Sequence, residues 1–272
     1  MPAQVDRSLA VELEFDKVLE LVAAHARTHV GRVVIGGLAD LLGDTSARVR
    51  SALLTRAVAD LIEEDGVLSL AGVDEAVPWL EEDAPPPSEP RDLIALLTLA
   101  RRVAAIRRRL EASDNVEFDD LLNRLPDTGE LVKKVAPKLS RDGTIADDAS
   151  PELGRVRREI ARARSDVLAE LEVVRRSHRE VVTDAPPTMR RDRYCLPVRS
   201  SARAQLDGLL LDVSARGATS FVEPFAVVEL NNRLAAAVAG EAREIQRLLH
   251  EISRLFTDAR EDLVAAVGVI AE

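Results

Sequence analysis

His25 and His29 stand four apart, the spacing at which two imidazoles on one helix face can share a zinc ion, and the sequence reads as helical there. Ala26, however, occupies the place where the matching metalloprotease motif carries its glutamate, so metal chemistry is not expected. The acidic pairs Asp119-Asp120 and Asp147-Asp148 are adjacent in sequence, and adjacent side chains diverge on a helix or strand, which suits solvated turns better than a two-metal centre. Cys195 lies between Tyr194 and Leu196 in an expected strand and reads as a small packed residue, with no histidine placed by a motif to activate it. No GxxxxGK[ST] phosphate loop occurs, and none of the four lysines, Lys17, Lys133, Lys134 and Lys138, follows a suitable glycine run. No catalytic or metal-ligating residue is therefore assigned, and no cofactor is expected in this chain.

Arginine is the remaining chemistry. Arg190, Arg191, Arg193, Arg199, Arg203 and Arg216 fall in or beside expected loops and strands, where a guanidinium fork can meet phosphate through two hydrogen bonds. The competing assignment pairs these arginines with Asp184, Asp192, Asp207 and Asp212 as a solvated rim. Charge distribution says only where an anionic partner would have to bind. The chain carries -10 overall, yet residues 151–216 hold fourteen Arg and no Lys against ten acids, leaving 23 basic and 37 acidic residues elsewhere. An anionic partner would meet this middle segment, and the rest of the chain would repel it.

The elements that position these residues are mostly helices. Hydrophobic residues make up 46% of the chain and aromatics only 3%, which suits helices packed through small aliphatic side chains. In LEFDKVLELVAAHA, Leu13, Val18, Leu21 and Val22 form a stripe expected to face the core, and a second helix is expected to end at Gly66. EEDAPPPSEPRD stops helix and lets Ser88 or Pro90 open the next one; Asp142-Gly143 marks a turn before Ser150. From Pro151, Leu153, Val156, Ile160, Ala163, Val167, Leu171 and Val174 recur every three or four residues, the seam of one long helix of roughly 40 Å at about 1.5 Å per residue. A second stripe runs from Leu230 through Val238 and Leu248 to Ile270. Two long helices flanking a compact insertion are expected to be antiparallel, with the insertion at their tip.

The insertion reads as three or four short strands, at Val181–Thr183, Arg193–Val198 and Leu209–Val213, and a return hairpin over Val213–Val222 turning at Gly217. Pro224 is expected in the first turn of the following helix, and Asn231 and Asn232, mediocre helix residues, are expected to tie the strands to it. The fold class is thus mainly α: a helical core over 1–150, long antiparallel helices over 151–179 and 224–272, and a small antiparallel β tip over 180–223.

RDRYCLPVRS, GLLLDVSARGATSFVEPFAVVELNNRL and DGTIADDASPELGRVRREI resemble the second, anti-recombination bacterial branch of the MutS family, and LEFDKVLELVAAHA is similar to its usual opening. The match runs from about Leu13 to the end. Val213, Arg216 and Ser220 depart from the branch, where Gln, Ser and Leu are usual. The resemblance implies that the helices are core and lever elements and that the β tip is the clamp, which touches DNA backbone in ordinary MutS. It also implies that ATP and magnesium belong to an ATPase domain, and any nuclease activity to a Smr domain, both outside this chain. DNA would then be the partner, with homodimer pairing mainly through the ATPase. Branch members are also associated with ribosomes, which makes a helical protein-interaction or ribosome-associated scaffold the alternative. No apolar run reaches the roughly 18 residues of a membrane span, and the acids in MPAQVDRSLAVELEF are unlike a secretory leader, so a cytoplasmic location is expected.

Overall fold

The computed structural model describes residues 14–38 and 44–272, which are mainly helical with one small antiparallel sheet. Leu13 and the opening segment before it lie outside the described residues. The chain divides into two compact units: the described residues up to Thr144 with Leu249–Glu272, and Ile145–Leu248.

The first unit contains α1 (Phe15–Ala23), α2 (His29–Gly37), α3 (Thr45–Asp65), α4 (Val73–Ala76), α5 (Pro90–Ala112), α6 (Asp119–Arg124) and α7 (Gly129–Val135). Its organising element is α5, which contacts α4, α6 and α7 and the C-terminal α10 (Arg260–Ala271). Leu93, Leu96, Leu97, Leu99, Val103 and Ile106 bury most of its circumference, as befits a helix surrounded by others. Pro90 opens it at the first helical position, and the Glu89 N–H donates to the Asp92 carboxylate at 3.2 Å, satisfying a backbone donor at the helix start. Gly66 closes α3 at φ 84°, as its position in the sequence suggests.

The stripe expected to face the core on α1 does not. Leu21 is 69% exposed, Val18 49% and Val22 48%, while Leu19, between them, is buried. Apolar residues cover more of this short helix, which neighbours α2, than one stripe, and Leu19 is the one that is buried. His25 and His29 do not share a helix either. His25 follows α1 and its Nδ1 meets the Leu21 carbonyl at 2.9 Å, whereas His29 starts α2, its N–H donating to the Asp74 carboxylate.

The second unit is built on α8 (Pro151–Ser177) and the first part of α9 (Phe225–Asp258). Ser150 caps α8, accepting from the Leu153 N–H at 3.0 Å, and Pro151 occupies the first helical position. Contacts run in opposite senses along the two helices. Ser150 meets Glu244 and Arg157 meets Glu241 at one end, while Val167, Leu171 and Val174 pack with Val227 and Leu230 at the other, so α8 and α9 are antiparallel. Along α9 the inward line within this unit is Val227, Asn231, Leu234, Ala237, Glu244 and Leu248, and Val238 is exposed. The C-terminal stripe is not one helix: α9 ends at Asp258, Ala259 sits at φ -94°, ψ 5°, and α10 restarts at Arg260. There the Arg260 guanidinium donates to the Ala84 carbonyl at 2.7 Å, an anchor inside the first unit that fixes the bend.

Between α8 and α9 the chain forms β1 (Thr188–Arg190), β2 (Arg193–Arg199), β3 (Gly208–Val213) and β4 (Thr219–Pro224), ordered β1-β2-β4-β3 and antiparallel throughout. Val181 to Thr183 is not a strand; Val182 makes a single bridge to Val198, and the first strand lies at Thr188–Arg190 instead. One face of the sheet, through Leu196, Val198 and Val222, packs with Val167, Leu171, Val174 and Val227 of the helices.

Candidate nucleic-acid interface

Two hairpins define the two ends of the sheet. At one end β1 and β2 are joined by Arg191 and Asp192 alone, with φ of 50° and 60°. Positive φ at both central residues is the two-residue turn that matches strand twist, here built without glycine or asparagine at its first position. At the other end β3 and β4 are joined by Ser214–Ala218, with Gly217 at φ 70°. The Gly217 N–H donates to the Ser214 carbonyl and the Ser214 N–H to the Thr219 carbonyl, each at 2.8 Å, closing the turn. Gly208 is required for a different reason: a Cβ there would lie 2.3 Å from the Glu223 carbonyl oxygen across the ladder.

The six arginines singled out from the sequence are divided between these ends. Arg193 is used internally. Its guanidinium forks onto Glu223, at 2.6 and 2.5 Å, and also donates to the Val228 carbonyl and to Asn232 Oδ1. Glu223 is fully buried, so this pair is a structural tie and Arg193 is withdrawn from the solvent-facing set. Arg190 lies over the Phe221 ring at 4.1 Å and faces Asp212 at 3.4 Å. Among the described residues that is the one pairing these arginines make with the expected aspartates. Arg203 donates to the Gly208 carbonyl at 2.8 Å and holds the approach to β3.

Arg191, Arg199 and Arg216 remain exposed, and among the described residues none has a carboxylate partner. Arg199 and Arg216 share one end of the sheet: Arg199 pairs in register with Thr219, and the Ser200 N–H donates to the Ala218 carbonyl beside the Arg216 turn. Arg191 stands at the opposite end. The departure at Ser220 has a local explanation, since its buried hydroxyl meets Ser200 Oγ at 2.9 Å.

Asn231 and Asn232 join α9 to the Arg193 end. Extending the β2–β4 register past Leu196 and Val222 sets Tyr194 opposite Pro224, which has no N–H to give the ladder. Asn231 fills that place. Its Oδ1 accepts from the Tyr194 N–H at 3.1 Å, and its Nδ2 donates to the Tyr194 carbonyl at 3.0 Å and to Glu223 at 2.8 Å. Pro224 itself is the last residue of β4, paired with Gly208, and not a helix-opening residue; α9 begins at Phe225. Tyr194 and Glu223, which sequence reasoning did not single out, are thus central to the joint.

Cys195 is buried, and burial pushes its thiol up to about 11. Among the described residues no three His, Cys, Asp or Glu side chains converge as a metal site, and no helix is long and apolar enough to cross a membrane.

No protein-family profile matches the chain. Curated relatives do. The protein called endonuclease MutS2 in Thermus thermophilus is 32% identical over 249 residues, covering 91% of this chain and 32% of its own length. Its namesake in Thermomicrobium roseum is 32% identical over 269 residues, with 94% and 33% covered. That of Halalkalibacterium halodurans is 30% identical over 282 residues, with 98% and 35% covered. The chain spans about a third of the length of the curated relatives it matches.

Proposed function

Because the chain belongs to the MutS2 branch of the MutS family, we propose that its Ile145–Leu248 unit is a non-catalytic arm that holds DNA by its backbone in a repair and recombination-control protein. α8 and α9 are the lever and the four-stranded sheet is the clamp. Catalysis, ATP and magnesium belong on this reading to parts of the longer protein outside these residues, as does most of any homodimer contact.

The observation that carries the reading is the Arg199–Arg216 end of the sheet. Two exposed arginines stand there on neighbouring, hydrogen-bonded segments, and among the described residues no carboxylate neutralises either. Such forks suit phosphodiester oxygens, and contacts of this kind bind without reading sequence. Arg191 adds a third charge at the opposite end, while Arg190, Arg193 and Arg203 serve the fold.

Replacing Arg199 and Arg216 together with Gln tests this. Binding of the chain to branched and linear duplex DNA at low salt weakens in the double variant, and the dependence of log affinity on log salt becomes shallower by about 1 per lost contact. The alternative, a scaffold for protein or ribosome partners, requires DNA binding to be the same in both proteins.

A further inference from the structure

A second arginine group lies where the chain leaves α8, in a segment hydrogen-bonded to the Arg199 end of β2, and is absent from the set read from the sequence. Arg175, Arg176 and Arg179 occupy the last turn of α8 and the residues after it, where they read as part of a lever helix. With Glu172, Val182, Thr183 and Asp184 they line an open cavity of about 340 Å³.

The cavity wall is fixed by hydrogen bonds to β2. The Thr183 N–H and Oγ1 both donate to the Pro197 carbonyl, at 2.9 and 3.1 Å, and the Arg199 N–H donates to the Val181 carbonyl at 3.0 Å. The Arg199 guanidinium reaches back to the Glu180 carbonyl at 2.6 Å, joining this segment to the end of the sheet that carries Arg216. Glu172 also lines the cavity, but Arg175 already neutralises it at 2.8 Å. Among the described residues Arg176 and Arg179 have neither an ion pair nor a hydrogen bond from their guanidiniums; Asp184 is the remaining acid in the wall. By contrast, Arg155 and Arg157, nearer the start of α8, are engaged by Glu152, Glu159 and Glu241.

We infer that this cavity is a phosphate pocket, in which Arg176 and Arg179 take one backbone phosphate of the nucleic acid whose neighbouring phosphates meet Arg199 and Arg216. The inference rests on the DNA-holding reading for the identity of its ligand, and on the rigid wall and two unpaired guanidiniums for the pocket itself. A simpler role for arginines at this place is to complement the partial negative charge at the C-terminus of α8, which requires no ligand.

The test uses the whole chain with Arg176→Gln/Arg179→Gln beside Arg199→Gln/Arg216→Gln, with circular dichroism and thermal unfolding to show that each is folded. For duplex DNA the first double variant lowers affinity and reduces the salt slope by about 1 to 2. If it binds as the parent does while the second variant is weakened, the DNA reading stands and the pocket is refuted. If the parent does not bind DNA, that reading fails, and titration with inorganic phosphate, followed through the arginine Nε–H resonances, decides the pocket separately. Saturable shifts at Arg176 and Arg179 support it; their absence overturns it.

Discussion

At the residue scale, the Arg193–Glu223–Asn231 group ties the sheet to the start of α9. A fully buried carboxylate is tolerable because a guanidinium fork and a side-chain amide both reach it. Arg193→Ala leaves that charge unpaired and should cost about 3 kcal/mol, at the low end for a broken buried pair because Arg193 is itself partly exposed. Asn231→Ala orphans the Tyr194 N–H and carbonyl and should cost about 1–3 kcal/mol, whereas Asn232→Ala removes one hydrogen bond at an exposed position and should cost less than either. Urea unfolding measures all three. Equal losses for the two asparagines would contradict the roles assigned to them. In the sequence the Asn pair was conspicuous, being costly inside a helix. Arg193 was not separable from its neighbours, because its partner lies thirty residues away and only the folded register brings them together.

At the element scale, two glycines in the same hairpin region are needed for different reasons, and substitution separates them. Gly217→Ala meets nothing within 4 Å and suffers only its positive φ, about 1–2 kcal/mol. Gly208→Ala drives a methyl group into the Glu223 backbone and should destabilise the sheet more, in the same unfolding measurement. The turn at Gly217 was legible because glycine after a polar run signals positive φ. The β1–β2 turn was not, since Arg191 and Asp192 adopt positive φ without glycine and leave only three residues of strand before them. Helix seams are legible where one stripe suffices, as along α8, where Leu153, Val156, Val167, Leu171 and Val174 are buried. They misled on α1, where Val18, Leu21 and Val22 outnumber the single inward position, and at Ala259, where the bend depends on Arg260 finding distant carbonyls.

The α8–α9 pair also carries a pH dependence. Glu244 accepts hydrogen bonds from Arg247 and from Ser150, which hold its carboxyl down to about 2 against an ordinary 4.5. A depressed carboxylate stabilises the fold fully above its unfolded value, and that contribution disappears as protonation proceeds. Thermal stability should therefore fall between about pH 4.5 and pH 2, and Glu244→Gln should flatten the fall over that window. An unchanged profile in the variant would remove Glu244 from the account.

At the scale of the whole molecule, an acidic chain presents exposed arginines that, among the described residues, lack carboxylate partners at one end of a small sheet, near the end of α8. The middle segment's arginine surplus pointed to this region from composition alone. Which arginines face outward was hidden, because that depends on carbonyls and carboxylates supplied by other strands and by α9. The measurement that bears most directly on the account is the salt dependence of duplex DNA binding by the intact chain and by Arg199→Gln/Arg216→Gln. If the arm holds DNA through these arginines, binding weakens steeply with salt in the parent, and the variant shows a lower affinity with a shallower slope. Equal affinity and equal slope in the two proteins would contradict it.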